Sequence, residues 1–292
     1  MQCGARQLDL SVPQVMGILN TTPDSFSDGG RLAATGETVA GGGFRVSVDQ
    51  ALHQAESMLR DGAAILDIGG ESTRPGARPI SVQEEMERVL PVVEAIAARL
   101  DVCVSVDTSK PDIIREAAAL GAGLVNDVRA LQWEGALEAV AESGMAACLM
   151  HMQGEPGHMQ SDPRYDDVCR DVSHFLERRV EAAEAAGVLR NRLLIDPGFG
   201  FGKTLDHNYQ LLAQLRELSR LGLPILVGMS RKSMIGQVVD RPVGGRAAGS
   251  VAAAVAAVLG GARIVRAHDV AETVDALRVC GAILERKSGP GA

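Results

Sequence analysis

Residues 101–127, DVCVSVDTSKPDIIREAAALGAGLVND, contain the repeating unit from which the fold can be argued. An apolar run at 102–106 ends on Asp107, a helical pattern follows, and a second apolar run at 123–126 ends on Asn126. Short apolar runs bounded by Gly, Asp or Pro are typical of buried strands. The unit therefore predicts two parallel strands joined by a helix, each with a polar residue at its carboxyl end.

The same unit recurs along the whole chain. Further apolar runs lie at 15–19, 65–68, 147–150, 193–195, 224–228 and 262–266. Helical patterns separate the runs and are seen at 47–62, from Ser81 to Leu100, and at 110–121, 165–187, 207–222, 246–261 and 270–287. Eight such units favour closure into a single-domain α/β fold, the (β/α)8 TIM barrel, over an open doubly wound sheet, which is the structural alternative. Because such a barrel carries its active site at the carboxyl ends of its strands, the polar residues found there indicate an enzyme.

Local signals divide the chain further. The clearest helical pattern follows Ser81, where S-V-Q-E predicts a capping box. Two loops stand out: residues 27–46 are rich in glycine and suit a mobile lid, and residues 153–165 are punctuated by Gly and Pro. We expect an N-terminal extension at 1–14 that can form a hairpin, a barrel at 15–286 and a disordered tail at 287–292.

Composition excludes several functional classes. The 292 residues carry a formal net charge of −8 and show no cluster of Lys and Arg, which argues against a nucleic-acid-binding surface. No apolar stretch reaches the roughly 18 to 20 residues that a membrane span needs, and the first residues lack the layout of a secretory signal. The five cysteines are scattered without a C-x-x-C pair, so we expect reduced thiols and a cytoplasmic protein.

Eight strings, in order along the chain, carry a resemblance to a known family. They are NTTPDSFSDGG (20–30), DIGGESTRPGA (67–77), SVDTSKP (105–111), ND (126–127), LMHMQG (149–154), DPGFGFGK (196–203), GMSRKSMIG (228–236) and RAHDV (266–270). On these strings the chain resembles the dihydropteroate synthases over nearly its whole length. The resemblance implies condensation of 6-hydroxymethyl-7,8-dihydropterin pyrophosphate with para-aminobenzoate, giving dihydropteroate and pyrophosphate. It also implies Mg²⁺, sulfonamides as competitors of para-aminobenzoate, and a homodimer.

The strand-end residues suit the pterin half of that reaction. A carboxylate such as Asp196 can accept the paired donors of an amino-pyrimidinone edge, and Asn126 can complete the contact. The resemblance also places Asp107 against the pterin, where a carboxylate favours the positive charge that develops as pyrophosphate leaves. A helix cap is the structural alternative for Asp107.

Departure of pyrophosphate builds negative charge on oxygen, which cations and amide donors stabilise. Arg266, His268 and Asn20 fit this role, and the resemblance implies that they hold the diphosphate together with Mg²⁺. The side-chain oxygen of Asn20 is a hard ligand of the kind that magnesium prefers.

The acceptor carries a carboxylate, and Ser230 lies where a strand turns into a helix whose amino terminus favours an anion. The resemblance implies that Lys232 lies between the two substrates. The other candidates for substrate binding are Thr73, Arg74, Pro75, Met150, Phe199, Phe201 and Gly228. The two Phe rings can stack on a substrate or simply plug the barrel mouth, and Met150 can pack on the pterin or belong to the core.

Three other functions are alternatives to a synthase. The string PGFGFGKT resembles a phosphate-binding loop, but that loop needs Gly where this chain has Pro197, so ATP hydrolysis is disfavoured. A pterin-dependent methyltransferase has a similar barrel, but it has no need of the TPDSFSDGG and SRKS strings. A non-catalytic pterin-binding protein is the third alternative, and the full set of site residues argues against it.

Overall fold

The structure is a computed structural model that describes residues 1–22, 46–72, 78–155 and 157–287. The lid predicted at 27–46 lies outside these ranges except for residue 46. So do the predicted substrate-binding residues Thr73, Arg74 and Pro75, and the tail from residue 288 onward.

In the described part of the chain, eight parallel strands form one sheet behind an amino-terminal hairpin. The hairpin pairs β1 (Gln2–Cys3) with β2 (Arg6–Gln7), and the sheet contains β3 (Gln14–Asn20), β4 (Ile65–Gly69), β5 (Cys103–Asp107), β6 (Leu124–Asp127), β7 (Ala146–Met150), β8 (Leu193–Asp196), β9 (Leu226–Val227) and β10 (Ile264–Ala267). The hydrogen-bonded order is β8-β7-β6-β5-β4-β3-β10-β9.

The sheet closes on itself between β8 and β9. A parallel bridge joins Ile195 to Ile225, and the Ile195 N–H donates to the Pro224 carbonyl at 3.0 Å. The prediction of a TIM barrel is therefore confirmed, and the open doubly wound sheet is excluded.

Helices surround the sheet. They are α1 (Val48–Arg60), α2 (Val82–Arg99), α3 (Pro111–Ala119), α4 (Ala136–Ser143), α5 (Val168–Ala185), α6 (Leu205–Ala213), α7 (Ser233–Val239), α8 (Ala247–Leu259) and α9 (Val270–Lys287). The sequence patterns missed α4 and α7, which are shorter than the stretch over which helical periodicity can be recognised. Among the described helices, none has the length and apolar character that a bilayer crossing requires.

The start of α2 shows how its capping residues serve the barrel. The Ser81 hydroxyl accepts the Glu84 N–H at 3.1 Å, which is one half of the predicted capping box, but the Glu84 carboxylate pairs with Arg88 one turn later at 2.5 Å and does not complete the box. Arg88 also donates to the carbonyl of Gly70 at 2.9 Å. This contact ties α2 to the carboxyl end of β4.

Strand parity separates the core into two apolar layers. Side chains on alternate strand positions point to opposite faces of the sheet. Those facing the helices form the larger cluster, with members such as Leu66, Val104 and Ile195, and those facing the barrel axis form a smaller one near the amino-terminal end, with members such as Ile65 and Cys103. On five of these strands the axial position two residues further along is polar: Asp67, Ser105, Asn126, Asp196 and Arg266 follow Ile65, Cys103, Leu124, Leu194 and Ile264. The barrel is thus apolar at one end and polar at the other.

The hairpin covers the apolar end. Cys3 is 1% exposed and Leu8 is 8% exposed, and both belong to the axial cluster. The hairpin lies within the extension predicted at 1–14, β3 begins at Gln14, and α9 continues through Lys287, the first residue of the predicted tail.

Candidate active site

Strand register brings four of the predicted strand-end positions into one row. Asn20 is opposite Gly69, Gly69 is opposite Asp107, and Asp107 is opposite Asn126. A Cβ atom on Gly69 would lie 3.4 Å from the Cβ of Asp107. The glycine therefore leaves the space beside Asp107 open to the barrel mouth.

Arg266 joins two buried carboxylates across the barrel. Its Nε donates to Asp67 Oδ2 at 2.6 Å, and one terminal nitrogen donates to Asp107 Oδ2 at 2.8 Å. The side chains of Asp67 and Asp107 are 0% and 14% exposed, so both bonds are shielded from water. The planar fork of arginine suits this arrangement because its nitrogens are fixed relative to each other.

Asp67 was missed by the sequence analysis although it organises the site. Besides Arg266, it accepts the Ser105 hydroxyl at 2.6 Å and the Asn126 side-chain amide at 3.1 Å. A carboxylate in the middle of an apolar strand was the available signal, since such a group is rarely buried without partners. Because Asn126 donates to Asp67 through its nitrogen, its orientation toward the mouth is fixed.

The electrostatics of Asp107 follow from its position. Burial raises the pKa of its carboxyl to about 7; Arg266 opposes the rise and Asp67 adds to it. On the facing side of the mouth, burial lowers the pKa of Lys232 to about 8, while Asp196 opposes that fall. A carboxylate and an ammonium therefore coexist in the interval between these two values.

We expect kcat/KM to follow a bell-shaped pH profile, rising through about 7 as Asp107 ionises and falling above about 8 as Lys232 loses its proton. In Asp107→Asn the acid limb should disappear and the alkaline limb remain, because the amide cannot titrate. Steady-state rates between pH 5.5 and 9.5 check this. An acid limb that persists unchanged in the variant would assign it to another group, such as Asp196, whose pKa is also raised by burial.

Asp196 ends β8 as predicted and is 5% exposed. Its Oδ1 accepts the Gly198 N–H at 2.7 Å, and its backbone carbonyl accepts the His151 N–H at 2.9 Å. Burial raises the pKa of its carboxyl, and the Gly198 hydrogen bond and nearby cations oppose the rise. The carboxylate is therefore held in one orientation at the polar end of the barrel.

Lys232 contacts the loop that follows β8. Its Nζ donates to the Phe199 carbonyl at 2.6 Å and lies 4.4 Å from the centre of the Phe201 ring, a cation–π distance. The Phe199 side chain is 0% exposed and belongs to the core facing the helices. The Phe199 ring therefore packs in the core and does not face the barrel mouth. Only the Phe199 backbone carbonyl contacts a site residue, Lys232. The Phe201 ring remains partly exposed beside Lys232.

Ser230 and His268, assigned above to different substrates, are in direct contact. The Ser230 hydroxyl accepts the His268 N–H at 3.1 Å, and the His268 Nδ1 lies 3.1 Å from the same oxygen. Their neighbours are also joined, because Arg231 forms a two-pronged ion pair with Asp269 at 2.6 and 3.1 Å. The loops after β9 and β10 are therefore linked into one unit.

Two of the remaining candidates lie at the ends of β7 and β9. Met150 is 3% exposed at the end of β7. A Cβ atom on Gly228 would lie 3.8 Å from the Cβ of Arg266 and 4.0 Å from the Nζ of Lys232, so this glycine sits between the two cations. Asn20 ends β3 and is partly exposed.

The side chains at the barrel mouth provide few oxygen atoms that could bind a magnesium ion. Among the described residues, no group of three His, Cys, Asp or Glu side chains is arranged to hold a metal ion. Asp67 and Asp107 are bonded to Arg266, and Asn20, at the end of β3, carries a side-chain amide oxygen. Magnesium commonly keeps several waters and binds through few protein oxygens plus substrate phosphates. These residues therefore suit a magnesium ion that is bound mainly by the oxygens of a diphosphate. They do not suit an ion that is bound by protein side chains alone.

Comparison with known proteins adds independent information. The family described as pterin binding enzyme matches residues 16–268. A dihydropteroate synthase of Escherichia coli K12 is 54% identical over 280 residues, which cover 96% of this chain and 95% of the relative.

Solved structures agree with that match. A Yersinia pestis dihydropteroate synthase in a sulfonamide drug complex superposes with a TM-score of 0.90 at 55% identity, covering 98% of this chain and 100% of that one. A Xanthomonas albilineans dihydropteroate synthase with 4-aminobenzoic acid has a TM-score of 0.87 at 49% identity, covering 99% of this chain and 98% of that one.

Proposed function

The chain belongs to the dihydropteroate synthases of the pterin binding enzyme family, and from this premise we propose which of its own side chains carry the reaction. The enzyme condenses 6-hydroxymethyl-7,8-dihydropterin pyrophosphate with para-aminobenzoate to give 7,8-dihydropteroate and pyrophosphate. The single observation that carries the assignment of roles is the Arg266 fork, which pairs with Asp67 and Asp107 beside Asn126 at the polar end of the barrel.

Asp196 and Asn126 bind the pterin ring. Asp196 accepts the adjacent donors of the amino-pyrimidinone edge, and its orientation is supported by the Gly198 N–H at 2.7 Å. Asn126 donates to Asp67 through nitrogen, so its side-chain oxygen is directed away from that carboxylate and can accept a ring donor. Met150 and the exposed part of Phe201 supply apolar contact.

The chemical step replaces a carbon–oxygen bond to diphosphate by a carbon–nitrogen bond to the amine of para-aminobenzoate. The aniline nitrogen is already a nucleophile, so no Ser or Cys nucleophile is needed, and positioning and electrostatics supply the catalysis. The Asp107 carboxylate stabilises positive charge on the pterin methylene, and Arg266, His268 and Asn20 stabilise the departing diphosphate. Lys232, with a pKa lowered to about 8 by burial, sits between the two substrates.

The acceptor carboxylate binds at the loop after β9. Ser230 lies there, three residues before α7 begins at Ser233, and the first backbone N–H groups of a helix favour an anion. Thr73, Arg74 and Pro75 are proposed to complete this pocket on the resemblance alone. Gly228, which lacks a side chain, leaves room between this pocket and Arg266.

Mg²⁺ is proposed as the ion that accompanies the diphosphate, with the Asn20 side-chain oxygen as its protein contact. When bound, the ion neutralises charge on the leaving oxygens. Support for this proposal comes from the donor set at the mouth, where the carboxylates are occupied by Arg266.

The function is tested by pyrophosphate release from purified protein supplied with dihydropterin pyrophosphate, with and without para-aminobenzoate and with and without Mg²⁺. We expect release that depends on both the acceptor and the ion, with dihydropteroate formed in equal amount. Tight pterin binding without release would instead indicate a binding protein. Acceptor-dependent release that continues in excess chelator would contradict the role given to Mg²⁺.

A sulfonamide should compete with para-aminobenzoate, because its aniline and anionic or polar sulfonyl group imitate the acceptor. We expect the apparent KM for para-aminobenzoate to rise in proportion to sulfonamide concentration while kcat stays constant. Initial rates over a grid of both concentrations check this. Inhibition that excess para-aminobenzoate does not relieve would place the sulfonamide elsewhere.

A homodimer in the cytoplasm is also proposed. The outer face of α9 carries Val279 and Ile283, which are 62% and 46% exposed one helical turn apart, and Leu259 at the end of α8 is 41% exposed. The small residues of α8 pack inward, with Ala253, Ala254 and Ala257 buried. Light scattering at micromolar concentration tests the oligomeric state, and cell fractionation tests the location.

A further inference from the structure

The loop between β8 and α6 has a backbone that depends on glycine. Gly198, Gly200 and Gly202 adopt φ values of 69°, 80° and 62°, in the left-handed region. A Cβ atom on Gly198 or Gly202 would overlap the carbonyl of His151 or Gln153, so this loop is pressed against the chain that follows β7. Several carbonyl groups of such a loop turn away from regular hydrogen bonding and need other donors.

Lys203 supplies those donors from inside the protein. It is 3% exposed, and its Nζ donates to the carbonyls of Gly198 at 2.9 Å and Phe201 at 3.1 Å. It also contacts His151, with 2.9 Å to Nδ1 and 3.5 Å to the carbonyl oxygen. The ammonium group therefore fastens the loop after β8 to the loop after β7.

The protonation states of this pair are consistent with that role. Burial, and after it the neighbouring charge of Lys203, lower the pKa of His151 to about 2, so the imidazole is neutral and its Nδ1 can accept. Burial lowers the pKa of Lys203 to about 7, while Asp196 opposes the fall. Near neutral pH both protonation states of Lys203 are therefore present, and even the neutral amine keeps two N–H donors for the carbonyls of Gly198 and Phe201.

The fastened loop connects directly to the pterin-binding groups. Gly198, whose carbonyl is held by Lys203, donates its N–H to Asp196 Oδ1 at 2.7 Å. The next carbonyl, that of Phe199, accepts from Lys232 at 2.6 Å. One short segment therefore contacts both Asp196 and Lys232 through its backbone.

We propose that Lys203 is a positioning residue for pterin recognition, which holds the Gly198–Phe201 segment so that Asp196 and Lys232 meet the ring in fixed orientations. The proposal rests on the function assigned above, in which Asp196 and Lys232 contact the pterin. Lys203 itself touches neither substrate. Its influence is transmitted through the backbone of residues 198–201.

Replacement by methionine tests this role, since Lys203→Met keeps the length of the side chain but removes every donor. We expect the Kd for dihydropterin pyrophosphate, measured by calorimetry, to rise at least about tenfold, while the KM for para-aminobenzoate changes by less than about twofold. Lys203→Arg, which retains a cation and several donors, should recover part of the affinity.

Lys110→Met is the matched control. Lys110 is 4% exposed, and its ammonium pairs with Glu85 at 2.5 Å and Glu71 at 2.9 Å, away from the loop after β8. Its loss should lower stability yet leave the pterin Kd within about twofold of the native value. Equal weakening of pterin binding in both variants would reduce Lys203 to a general stabilising residue and overturn the proposal.

The remaining outcomes are also decisive. Pterin binding by Lys203→Met at the native Kd overturns the proposal, and so does failure of both Lys203→Met and Lys203→Gln to fold, because Lys203 is then a folding residue. A native protein that neither binds the pterin nor releases pyrophosphate contradicts the assigned function instead. Native turnover with a pterin Kd that Lys203→Met leaves unshifted contradicts only this inference.

Discussion

Arg266→Met should lose at least about 10³-fold in kcat/KM, because it removes the cation that meets the leaving diphosphate and the fork that orients Asp107. It should also lose about 3 to 5 kcal/mol of unfolding free energy at pH 8, since two buried carboxylates are left without their counter-charge. In the native protein the Arg266 guanidinium lies 2.6 Å from Asp67 Oδ2 and 2.8 Å from Asp107 Oδ2, so both carboxylates lose a direct ion pair. Urea unfolding and steady-state kinetics measure the two effects.

The loss of stability should depend on pH with a definite sign. In the variant, Asp107 loses the cation that opposes the rise of its pKa, so this pKa lies still further above its value in the unfolded chain. The folded state then binds more protons than the unfolded state and regains stability as pH falls from 8 to 5. Arg266→Lys is the matched variant, because it keeps a charge but not the fork; it should recover more stability than activity. Native-like unfolding of Arg266→Met at pH 8 would show that the fork does not stabilise the fold through these two side chains.

Asp196→Asn should weaken binding of dihydropterin pyrophosphate about 100-fold, since two hydrogen bonds to a charged acceptor are replaced by one bond and one clash between donors. Calorimetric titration of the pterin measures this effect directly. The KM for para-aminobenzoate should change much less, because the acceptor carboxylate is assigned to the loop after β9. A pterin Kd unchanged by the substitution would remove Asp196 from the pterin site.

Asp127→Asn provides the control for Asp196→Asn. Asp127 is also a buried carboxylate at a strand end, but it accepts from the backbone N–H groups of Arg129 at 2.8 Å and Leu131 at 2.7 Å and from the Ser109 hydroxyl. Its substitution should lower the unfolding midpoint while the pterin Kd stays within about twofold of native. Comparable loss of pterin binding in both variants would indicate a shared structural effect.

The fold was predictable because its determinants are local. Each strand is a short apolar run with a punctuated end, as at residues 102–106, and the rule that relates alternating strands and helices to a parallel sheet needs no long-range information. The two helices that were missed, α4 and α7, span eight and seven residues. Their positions are set by the turns around them and by packing, which leave little periodic signal.

The site was predictable only in part, because its most informative contacts join distant residues. Arg266 and Asp67 are separated by 199 positions, and the sequence around neither residue predicts that they pair. The role of Lys203 was hidden for a different reason: its partners are mostly backbone carbonyls, which have no sequence signature. For Phe199 the sequence left two alternatives open, because a ring in a loop of the barrel mouth gives no indication of whether it points to substrate or to core.

Alternation along each strand has an evolutionary consequence. The layer that excludes water lies at the hairpin end, around Ile65 and Cys103, while the reacting groups stand at the carboxyl ends of the strands and on the loops that follow them. Substitutions in those loops alter substrate preference while leaving the apolar layer unchanged, and a protein with stability to spare tolerates many of them. Selection can therefore change substrate preference through the loops while the apolar layer that stabilises the barrel stays the same.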